Sequence, residues 1–499
     1  MLNKFGLARR SGGGKSRDSR YIPNVLTLIR RHRTLFLGAT LAGLALRLLF
    51  FVYCPAVTDD SRVYAELATN CLQHGIYGQT QTVQQLTQIV PTDARLPGYP
   101  AFLAKIFWLF GMGNFKAVLL TQILLDLVTC LIVADFARRA VSERAARIAF
   151  VLTALCPFLA NYAAAVLTET LEIFFTALAL DGAAAALGRM HEAGGGMGVN
   201  KLWAATGAAI AACILLRPDG GILLAAVGLY LAVAAWKCLS VKKNTADVLA
   251  AALIVMVVAL APLVPWTIRN FRTLHHFQPL APRYATAKDE FVARGFNRWV
   301  KTWIVDYASV EEIYWSVPGN AIDPQRLPSR ALDSPTKDSP AESDATLAVI
   351  SEYNQSQEIT PEVDARFGEL AADRIGARPV RYYVVLPLLR IADMWLRPRT
   401  EILPPDVRWW EFNDDTKQSV LAVGFGLLNL AYVTAALLAL VRRPSGIRWA
   451  GLLVCFLLLR SAFLGTLENP EPRYTLECYP VVIVYAAACL ARATEQTAI

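Results

Sequence analysis

The sequence contains few charged residues. Asp, Glu, Lys and Arg make up 18% of its 499 residues, whereas about 25% is usual in soluble domains. Hydrophobic residues make up 55%, and the deficit of charge recurs along most of the length. This composition excludes an ordinary soluble protein and predicts a chain with many membrane-spanning helices. The formal charge of +9 therefore does not indicate a nucleic-acid partner, and we expect none.

Acidic residues are scarce at the start of the chain. Residues 1–33 hold nine of the 49 basic residues and a single acid, Asp18. A basic tail ahead of an apolar run normally stays in the cytoplasm. The apolar run that follows, 34–53, is long enough to span a bilayer, and no small-residue cleavage site comes after it. The sequence therefore predicts a cytoplasmic tail and a first membrane span, not a cleaved signal.

Patterns typical of disulfide scaffolds and metal sites are also lacking. The nine cysteines are scattered, and only Cys54 and Cys71 share an outer loop, where a bridge is one alternative. His275 and His276 have no clustered Cys or carboxylate partner, so we interpret them as surface residues. No internal repeat is evident.

Apolar runs bounded by charged residues predict ten membrane spans. They lie at 34–53, 117–137, 146–165, 170–188, 201–217, 220–237, 246–267, 418–441, 447–466 and 476–492. With the N-terminus inside, the cytoplasmic connections and both tails together carry a net charge of +17, and the rest of the chain carries −8. This asymmetry favours a topology with both termini in the cytoplasm.

The topology divides the chain into four parts. We expect a basic tail at 1–33, a seven-span catalytic core at 34–267 with an outer loop at 54–116, an outer domain at 268–417, and a three-span module at 418–499. Within the outer domain, the Pro-, Ser- and Asp-rich stretch 316–345 is typical of a mobile loop, and helical periodicity returns over 362–396.

Polar residues collect at the predicted outer ends of the spans, and the cytoplasmic connections are too short to form a pocket. Six clusters lie outside, at 58–60, 95–100, 168–170, 217–220, 266–270 and 468–474. Each has a simpler interpretation when taken singly. Asp59 or Asp60 would suit a helix N-cap, the segment 217–220 would suit a tight turn, and an arginine at a span end commonly snorkels to the interface. Together the clusters favour an outward-facing site.

Four motifs carry a family resemblance. They are DSRVYAELA at 60–68, RLPGYPAFLA at 95–104, PWTIRN at 265–270 and EPRY at 471–474. Their order and spacing resemble the GT-C superfamily of membrane glycosyltransferases, in particular the bacterial members related to protein O-mannosyltransferases and to the aminoarabinose transferase of lipid A. The resemblance implies a GT-C fold, with a seven-span core, helices lying on the outer face in its first loop and a variable module after it. Together with the ten counted spans, we expect an all-α polytopic membrane protein of about ten transmembrane helices, with periplasmic juxtamembrane helices and a mainly helical periplasmic insertion. The second half departs from the family pattern.

The resemblance implies a function. Family members transfer a sugar from a polyprenyl-phosphate carrier, and an outward-facing site favours such a donor because nucleotide sugars are made in the cytosol. We therefore expect an inverting transferase for a hexose or pentose at the periplasmic face of a bacterial inner membrane. Its partners would be the polyprenyl-phosphate-linked donor, a glycolipid, lipopolysaccharide or protein acceptor, and membrane lipids.

The leaving phosphate needs cations more than it needs a proton donor. Arginine binds phosphate oxygens in pairs and stays protonated. The candidates are Arg95, Arg217, Arg269 and Arg473, with Arg95 and Arg473 first. The resemblance adds the motif tyrosines Tyr64, Tyr99 and Tyr474 as substrate-binding residues.

A carboxylate must accept the proton of the attacking hydroxyl. Asp60 matches the acidic position of the family and stands four residues before Tyr64, on the same helical face. Asp59 is the reserve, and Glu169 is expected to orient the acceptor or an arginine. These three carboxylates make Mg²⁺ or Mn²⁺ a candidate cofactor, but adjacent side chains on a helix diverge, so the metal is left open.

Two other functions compete with this one. A polymerase or ligase of lipid-linked glycans would also place arginines on the outer face. A flippase or transporter would need charged residues near span centres or repeat symmetry, and neither is evident in the sequence.

Overall fold

The computed structural model describes residues 25–83, 86–193, 196–240, 245–284, 290–332, 340–412, 415–442 and 446–496. Residues 1–24 of the expected basic tail lie outside this part of the chain, and so do residues 333–339 of the expected loop 316–345.

The described chain is almost entirely helical. In chain order, its helices are α1 (Val25–Arg31), α2 (Arg33–Tyr53), α3 (Asp59–His74), α4 (Gly98–Phe110), α5 (Phe115–Ala140), α6 (Glu143–Ala154), α7 (Pro157–Ala163), α8 (Glu169–Ala193), α9 (Met197–Leu216), α10 (Gly221–Ser240), α11 (Ala246–Leu260), α12 (Leu263–Leu274), α13 (Arg294–Val300), α14 (Tyr307–Ser309), α15 (Ser329–Leu332), α16 (Pro340–Ser356), α17 (Pro361–Ala377), α18 (Leu386–Leu396), α19 (Thr416–Val441), α20 (Ala450–Gly465) and α21 (Tyr479–Gln496). Its two strands are β1 (Gly78–Val83) and β2 (Leu86–Pro91). The expected all-α polytopic fold is confirmed.

Eight segments of the described chain are long and apolar enough to cross a membrane. They are Arg33–Tyr53, Phe115–Ala140, Glu169–His191, Met197–Leu216, Pro218–Ser240, Ala246–Leu274, Thr416–Val441 and Pro472–Ala491. A ninth arises if α6 and α7, which meet at a bend of 51°, form one broken span. The protein is thus a multi-pass membrane protein.

Of the ten predicted spans, eight, or nine with the bent pair, are long and apolar enough in the described chain, and each predicted segment is mainly helical. The segment 146–165 is broken between α6 and α7 because Pro157 disfavours a helical conformation at the residue before it. The segment 447–466 corresponds to α20, whose 16 residues fall short of the roughly 20 that a span needs.

The chain forms two compact units, which divide the expected C-terminal module between them. The first unit comprises Met1–Ala287, Tyr432–Leu457 and Leu476–Ile499, and the second comprises Lys288–Ala431 and Leu458–Thr475. In the first unit α5, α8 and α9 pack side by side. Small residues such as Ala177 and Ala183 are completely buried there, which allows the helix backbones to approach closely.

The first loop of the first unit contains a β-hairpin that the sequence analysis did not predict. The strands β1 and β2 pair antiparallel, with Gly78 opposite Pro91. The side chain of Asn70 in α3 donates a hydrogen bond of 2.8 Å to the carbonyl of Gly78. The backbone N–H of Thr80 donates one of 2.6 Å to Glu66, also in α3. The hairpin is therefore fixed to the helix that carries the Asp60 motif.

A charged pair lies buried within the spans of the first unit, where the sequence analysis saw no charge near a span centre. Arg47 in α2 and Asp126 in α5 are 0% and 1% exposed. The Nε of Arg47 donates a hydrogen bond of 2.7 Å to Asp126, and its Nη1 donates to the carbonyls of Gly43 and Ala154 at 2.8 and 2.7 Å. Because these donors all find acceptors inside the protein, the pair holds α2 against α5 and α6.

The second unit has its own aromatic core. Its centre consists of Phe296, Trp299, Trp303, Tyr353 and Phe367, each 0–2% exposed. The helix α13 packs against α17 across this core.

The helix α16 begins inside the stretch that was expected to be a mobile loop. The side-chain amide of Asn354 in α16 forms two hydrogen bonds of 2.8 Å with the backbone of Ile322. It accepts one from the N–H and donates one to the carbonyl. At least this part of the expected loop is therefore tied to a helix. The expected helicity of 362–396 is present in α17 and α18.

Candidate active site

The start of α3 separates the two aspartates of the first motif. The N-cap is Thr58, which forms a capping box with Ser61, so neither aspartate is the cap. The side chain of Asp59 is 96% exposed and pairs with Arg62 at 3.0 Å. Asp60 points to the opposite side, toward Arg95. Both carboxylates lie in the first turn, where the helix dipole favours negative charge.

Asp60 and Arg95 form the central ion pair of the site. The Nη2 of Arg95 lies 2.9 Å from Oδ1 of Asp60, and the two side chains keep exposures of 24% and 37%. The guanidinium carbon of Arg95 also lies over the ring of Tyr64, 5.9 Å from its centre. The pair is therefore positioned by a buried ring and remains accessible to a ligand.

Two tyrosines form the floor beneath this pair. The rings of Tyr64 and Tyr99 meet edge to face at 5.1 Å. The hydroxyl of Tyr99 donates a hydrogen bond of 2.7 Å to Gln122, whose amide donates one of 2.6 Å to the carbonyl of Ala165. Burial raises the pKa of Tyr64 to about 12, so its phenol remains a neutral hydrogen-bond donor at physiological pH.

A second charged cluster surrounds Arg217. Its guanidinium lies 3.8 Å from Glu169, 3.7 Å from Glu172 and 3.5 Å from Asp219. Glu169 and Glu172 occupy the first turn of α8, and Glu477 lies beside Glu172. The sequence analysis did not identify Glu172, although its spacing of three residues from Glu169 places both on one helical face.

Two glycines let the backbone approach closely around this cluster. A Cβ at Gly98, the first residue of α4, would lie 2.6 Å from the carbonyl of Leu215 at the end of α9. A Cβ at Gly220 would lie 2.5 Å from the carbonyl oxygen of Cys213. The segment 217–220 is thus the tight turn considered above, a 3₁₀ turn at Pro218–Gly220, and it also carries Arg217.

Charged residues of both clusters lie near the phenol of Tyr64. The electrostatic neighbours of the Tyr64 phenol include Arg95 and Asp60 from the first cluster and Arg217 and Glu169 from the second. The structure therefore brings together, around Tyr64 and Tyr99, four charged residues that the sequence placed in three different connections.

Arg269 has a different environment from the other candidate arginines. Its Nη1 donates a hydrogen bond of 2.8 Å to the carbonyl of Thr92, and its Nη2 donates one of 2.5 Å to that of Tyr77. The guanidinium also lies over the rings of Tyr77 and Trp266, at 5.4 and 5.2 Å. These contacts fix both ends of the hairpin, since Tyr77 precedes β1 and Thr92 follows β2. They do not test the expected role of Arg269 in binding substrate, which stays a prediction.

His276 is not a simple surface residue. Its Nε2 lies 2.7 Å from Oδ2 of Asp93, a carboxylate that is 5% exposed. The sequence analysis missed this carboxylate partner because it lies 183 residues away in the sequence. Cys54 and Cys71 are both free thiols, so the alternative of a bridge does not hold in this structure.

Arg473 and Tyr474 belong to the second unit. The Nε of Arg473 lies 2.5 Å from Oε2 of the buried Glu471, and its guanidinium lies over the ring of Tyr474 at 5.4 Å. The Tyr474 hydroxyl donates a hydrogen bond to Glu471. That these two residues complete the site around Asp60 stays a prediction.

The three carboxylates considered for a metal do not fit one. Asp59 pairs with Arg62, Asp60 with Arg95, and Glu169 lies beside Arg217. No group of three or more His, Cys, Asp or Glu residues among the described parts of the chain is arranged to hold a metal ion. We therefore derive no catalytic step through Mg²⁺ or Mn²⁺.

The fold and this site define a class, a polytopic helical membrane protein. Residues 94–266 match the family model described as dolichyl-phosphate-mannose-protein mannosyltransferase. This match and the fold confirm the resemblance indicated by the motifs. No curated protein sequence matches the chain significantly.

Solved structures share the fold. The archaeal oligosaccharyltransferase AglB from Archaeoglobus fulgidus, in complex with an inhibitory peptide and a dolichol-phosphate, matches 94% of this chain and 51% of its own at 13% identity, with a TM-score of 0.50. The oligosaccharyltransferase of the same organism tethered to an acceptor peptide matches 93% of this chain and 50% of its own at 14% identity, with a TM-score of 0.51. The chain thus spans about half the length of these proteins.

A more distant match is ArnT from Cupriavidus metallidurans bound to undecaprenyl phosphate. It matches 93% of this chain and 79% of its own at 14% identity, with a TM-score of 0.38.

Proposed function

We propose that the protein is an inverting glycosyltransferase that moves a hexose or pentose from a polyprenyl-phosphate carrier to a glycolipid, lipopolysaccharide or protein. Its site faces the periplasm of a bacterial inner membrane, and both termini lie in the cytoplasm. The family match supports sugar transfer from a lipid phosphate, and a protein of the same fold has been captured with a dolichol-phosphate. The observation that carries the proposal is the accessible Arg95–Asp60 pair above the buried Tyr64.

Arg95 is the best phosphate ligand of the first unit. It is partly exposed, and it forms an ion pair with one carboxylate, that of Asp60. Arg217, by contrast, lies within 4 Å of three carboxylates, and this surplus of negative charge opposes the approach of a phosphate. We assign Arg95 to the carrier phosphate and Arg217 to holding Glu169 in place to orient the acceptor.

The Arg95–Asp60 pair couples phosphate binding to base catalysis. When the donor phosphate binds the guanidinium of Arg95, Asp60 loses its ion pair with this arginine, and its carboxylate becomes a better proton acceptor. The acceptor oxygen then attacks the anomeric carbon while the bond from that carbon to the phosphate oxygen breaks. The hydroxyl proton passes to Asp60, and the carrier leaves as polyprenyl phosphate. A single displacement inverts the anomeric configuration.

The test is complementation of cells that lack this chain. Envelope glycolipids and proteins are analysed by mass spectrometry after expression of the wild type, Asp60→Asn or Asp59→Asn. We expect the wild type and Asp59→Asn to add the same mass, and Asp60→Asn to lose the product by about 100-fold or more, as for a general base. A full product from Asp60→Asn, expressed at the wild-type level, would remove Asp60 as the base.

One observation favours a second candidate, the polymerase or ligase of lipid-linked glycans. The two structures described above with TM-scores of 0.50 and 0.51 are of oligosaccharyltransferases. The same mass analysis separates the two functions, because a monosaccharide transferase adds one sugar and a ligase adds a glycan block in one step. A flippase would give transport and no covalent product.

A further inference from the structure

The second unit contains a cavity that the proposed reaction does not use. Its volume is about 760 Å³, within the range of about 300–1,000 Å³ that is usual for small-molecule sites. Its lining residues come from three stretches, 306–312, 325–328 and the described residues of 404–419, which are 404–412 and 415–419. All three lie within Lys288–Ala431, so the cavity is formed by the second unit alone.

Aromatic rings form one part of the wall. Trp409, Trp410 and Phe412 line the cavity, and Trp410 and Phe412 remain 45% and 47% exposed. The guanidinium of Arg397 lies over the ring of Trp410 at 5.3 Å, which holds that ring in place. A pyranose ring presents C–H groups on its faces, and the negative face of an aromatic ring attracts such weakly positive groups.

Fixed polar side chains form the rest of the wall. Arg408 makes a two-fold ion pair with Glu312, at 2.6 and 2.7 Å, and lies 3.2 Å from Glu411. The amides of Gln325 and Gln418 also line the cavity. Carboxylates accept, a guanidinium donates and an amide does both. The wall therefore offers both donors and acceptors for the hydrogen bonds that sugar hydroxyls form.

The charge of the lining selects against anions. The lining carries five carboxylates, from Asp306, Glu312, Asp406, Glu411 and Asp415, against two guanidiniums, from Arg326 and Arg408. A phosphorylated sugar, a uronic acid or a nucleic acid would enter against this surplus. A lipid tail would leave the polar groups without partners. The ligand that meets both conditions is a neutral polyol with an apolar face.

We propose that this cavity binds a short neutral saccharide, which forms the sugar-bearing part of the acceptor. Its identity as part of the acceptor rests on the proposed function, but the binding itself does not. A peptide is the main competing ligand, and the experiment distinguishes it.

Binding is measured on the full chain in lipid nanodiscs by saturation-transfer difference NMR. The probes are neutral methyl hexosides and disaccharides, with glucuronate and glucose 6-phosphate as anionic counterparts and a neutral hexapeptide as the competitor. We expect a saturable signal from a neutral saccharide, weaker binding of the anionic probes, and no displacement by the peptide.

A matched pair of variants tests the location. Phe412→Ala removes a ring that is 47% exposed in the cavity, and Phe291→Ala removes one that is 51% exposed outside its lining. We expect Phe412→Ala to weaken binding about tenfold, equivalent to about 1.4 kcal/mol, and Phe291→Ala to leave binding unchanged. Gln418→Ala, which keeps every ring, should weaken it as well and serves if Phe412→Ala folds poorly.

Several results would overturn the inference. These are the absence of a saturable signal from any neutral saccharide, equal binding of the anionic probes, displacement by the peptide, or equal effects of Phe412→Ala and Phe291→Ala. Saccharide binding that persists while Asp60→Asn retains full transfer would leave this inference standing and remove the proposed role of Asp60.

Discussion

Arg95 donates a hydrogen bond of 2.9 Å to Asp60, a residue 35 positions earlier in the chain. The same guanidinium lies over Tyr64, one helical turn after Asp60. In the proposed mechanism this pair joins the two tasks of a displacement reaction, binding the leaving group and accepting a proton. In the proposed mechanism the phosphate breaks this contact, so proton transfer can begin only after the donor has bound.

Arg95→Lys tests the geometry of this contact. Lysine keeps the charge but lacks the planar fork that binds two phosphate oxygens. We expect turnover to fall by about 100-fold, the scale seen when one preorganised donor to a developing charge is lost, with a smaller change in the KM for the donor. The measurement is transfer by purified protein once the sugar has been identified from the envelope masses.

Arg62→Lys is the matched control for Arg95→Lys. Arg62 lies on α3 and, like Arg95, pairs with an aspartate, here Asp59, but its side chain is 73% exposed. We expect its turnover to stay within about twofold of the wild type, since exposed pairs contribute little. Equal activity of Arg95→Lys and Arg62→Lys would show that the fork of Arg95 does not contact the phosphate.

Gly98→Ala tests the packing that brings the two clusters together. The added Cβ would meet the backbone of Leu215 at 2.6 Å, so the start of α4 must shift and move Tyr99 with it. We expect a loss of about 1–3 kcal/mol in the free energy of unfolding, typical of overpacking, and a loss of transfer. Thermal unfolding in detergent measures the first effect.

The control for this variant is Gly38→Ala in α2. No atom lies within 4 Å of a Cβ at Gly38, and alanine is favoured over glycine inside a helix. Gly38→Ala should therefore unfold at the wild-type temperature or above. If Gly98→Ala behaved in the same way, the close approach of α4 to Leu215 would not be required.

Local pattern explains which parts of the fold could be predicted. The apolar runs were long enough to mark every span as helix, and the motifs around Asp60, Arg95 and Arg217 mark residues that do come together. The hairpin was missed because β1 and β2 are short, rich in Thr and Gln, and have no apolar face to reveal them. Their stability depends on Asn70 and Glu66.

Contacts between residues far apart in the sequence could not be predicted. Arg47 and Asp126 are 79 residues apart, and His276 and Asp93 are 183 apart. In the sequence alone, each of these four residues looks like an isolated charge or a surface side chain, because its partner lies far away along the chain. The place of Trp409 and Trp410 in a cavity could not be predicted either, since the segments 306–312 and 325–328 complete that cavity.

The Arg47–Asp126 pair should be structural and not part of a transport path. Removing one partner leaves an unpaired buried charge, so Asp126→Leu or Arg47→Met should destabilise the protein by about 3–5 kcal/mol. The double variant Arg47→Met with Asp126→Leu should recover most of this loss. Thermal unfolding of the four proteins gives the coupling energy.

The exposed pair of Arg31 and Glu143, at 3.4 Å with side-chain exposures of 60% and 33%, provides the comparison. Glu143→Gln should change stability by no more than about 1 kcal/mol. A stable double variant that has lost all transfer would assign a functional task to Arg47 and Asp126, contrary to this prediction.

Asp393 should make the stability of the second unit depend on pH. It lies in α18, accepts a hydrogen bond of 3.1 Å from the backbone of Tyr307, and lies 3.8 Å from Arg397. Burial raises the pKa of Asp393 to about 6, above its usual value of 3.8, and Arg397 opposes this rise only in part. Between pH 4 and 6 the folded protein therefore binds more protons at this site than the unfolded chain does. Stability contributed by the site is present below pH 4 and is lost as the pH rises through 6.

Asp393→Asn isolates this contribution, because asparagine cannot ionise and its carbonyl can still accept from Tyr307. A shift of about two pKa units corresponds to about 2–3 kcal/mol. We expect the unfolding temperature of the wild type to fall, relative to that of Asp393→Asn, as the pH is raised from 4 to 7. Other groups titrate in this range in both proteins, so the difference between the two curves is the quantity that matters. A constant difference across this range would mean that Asp393 does not titrate there in the folded protein.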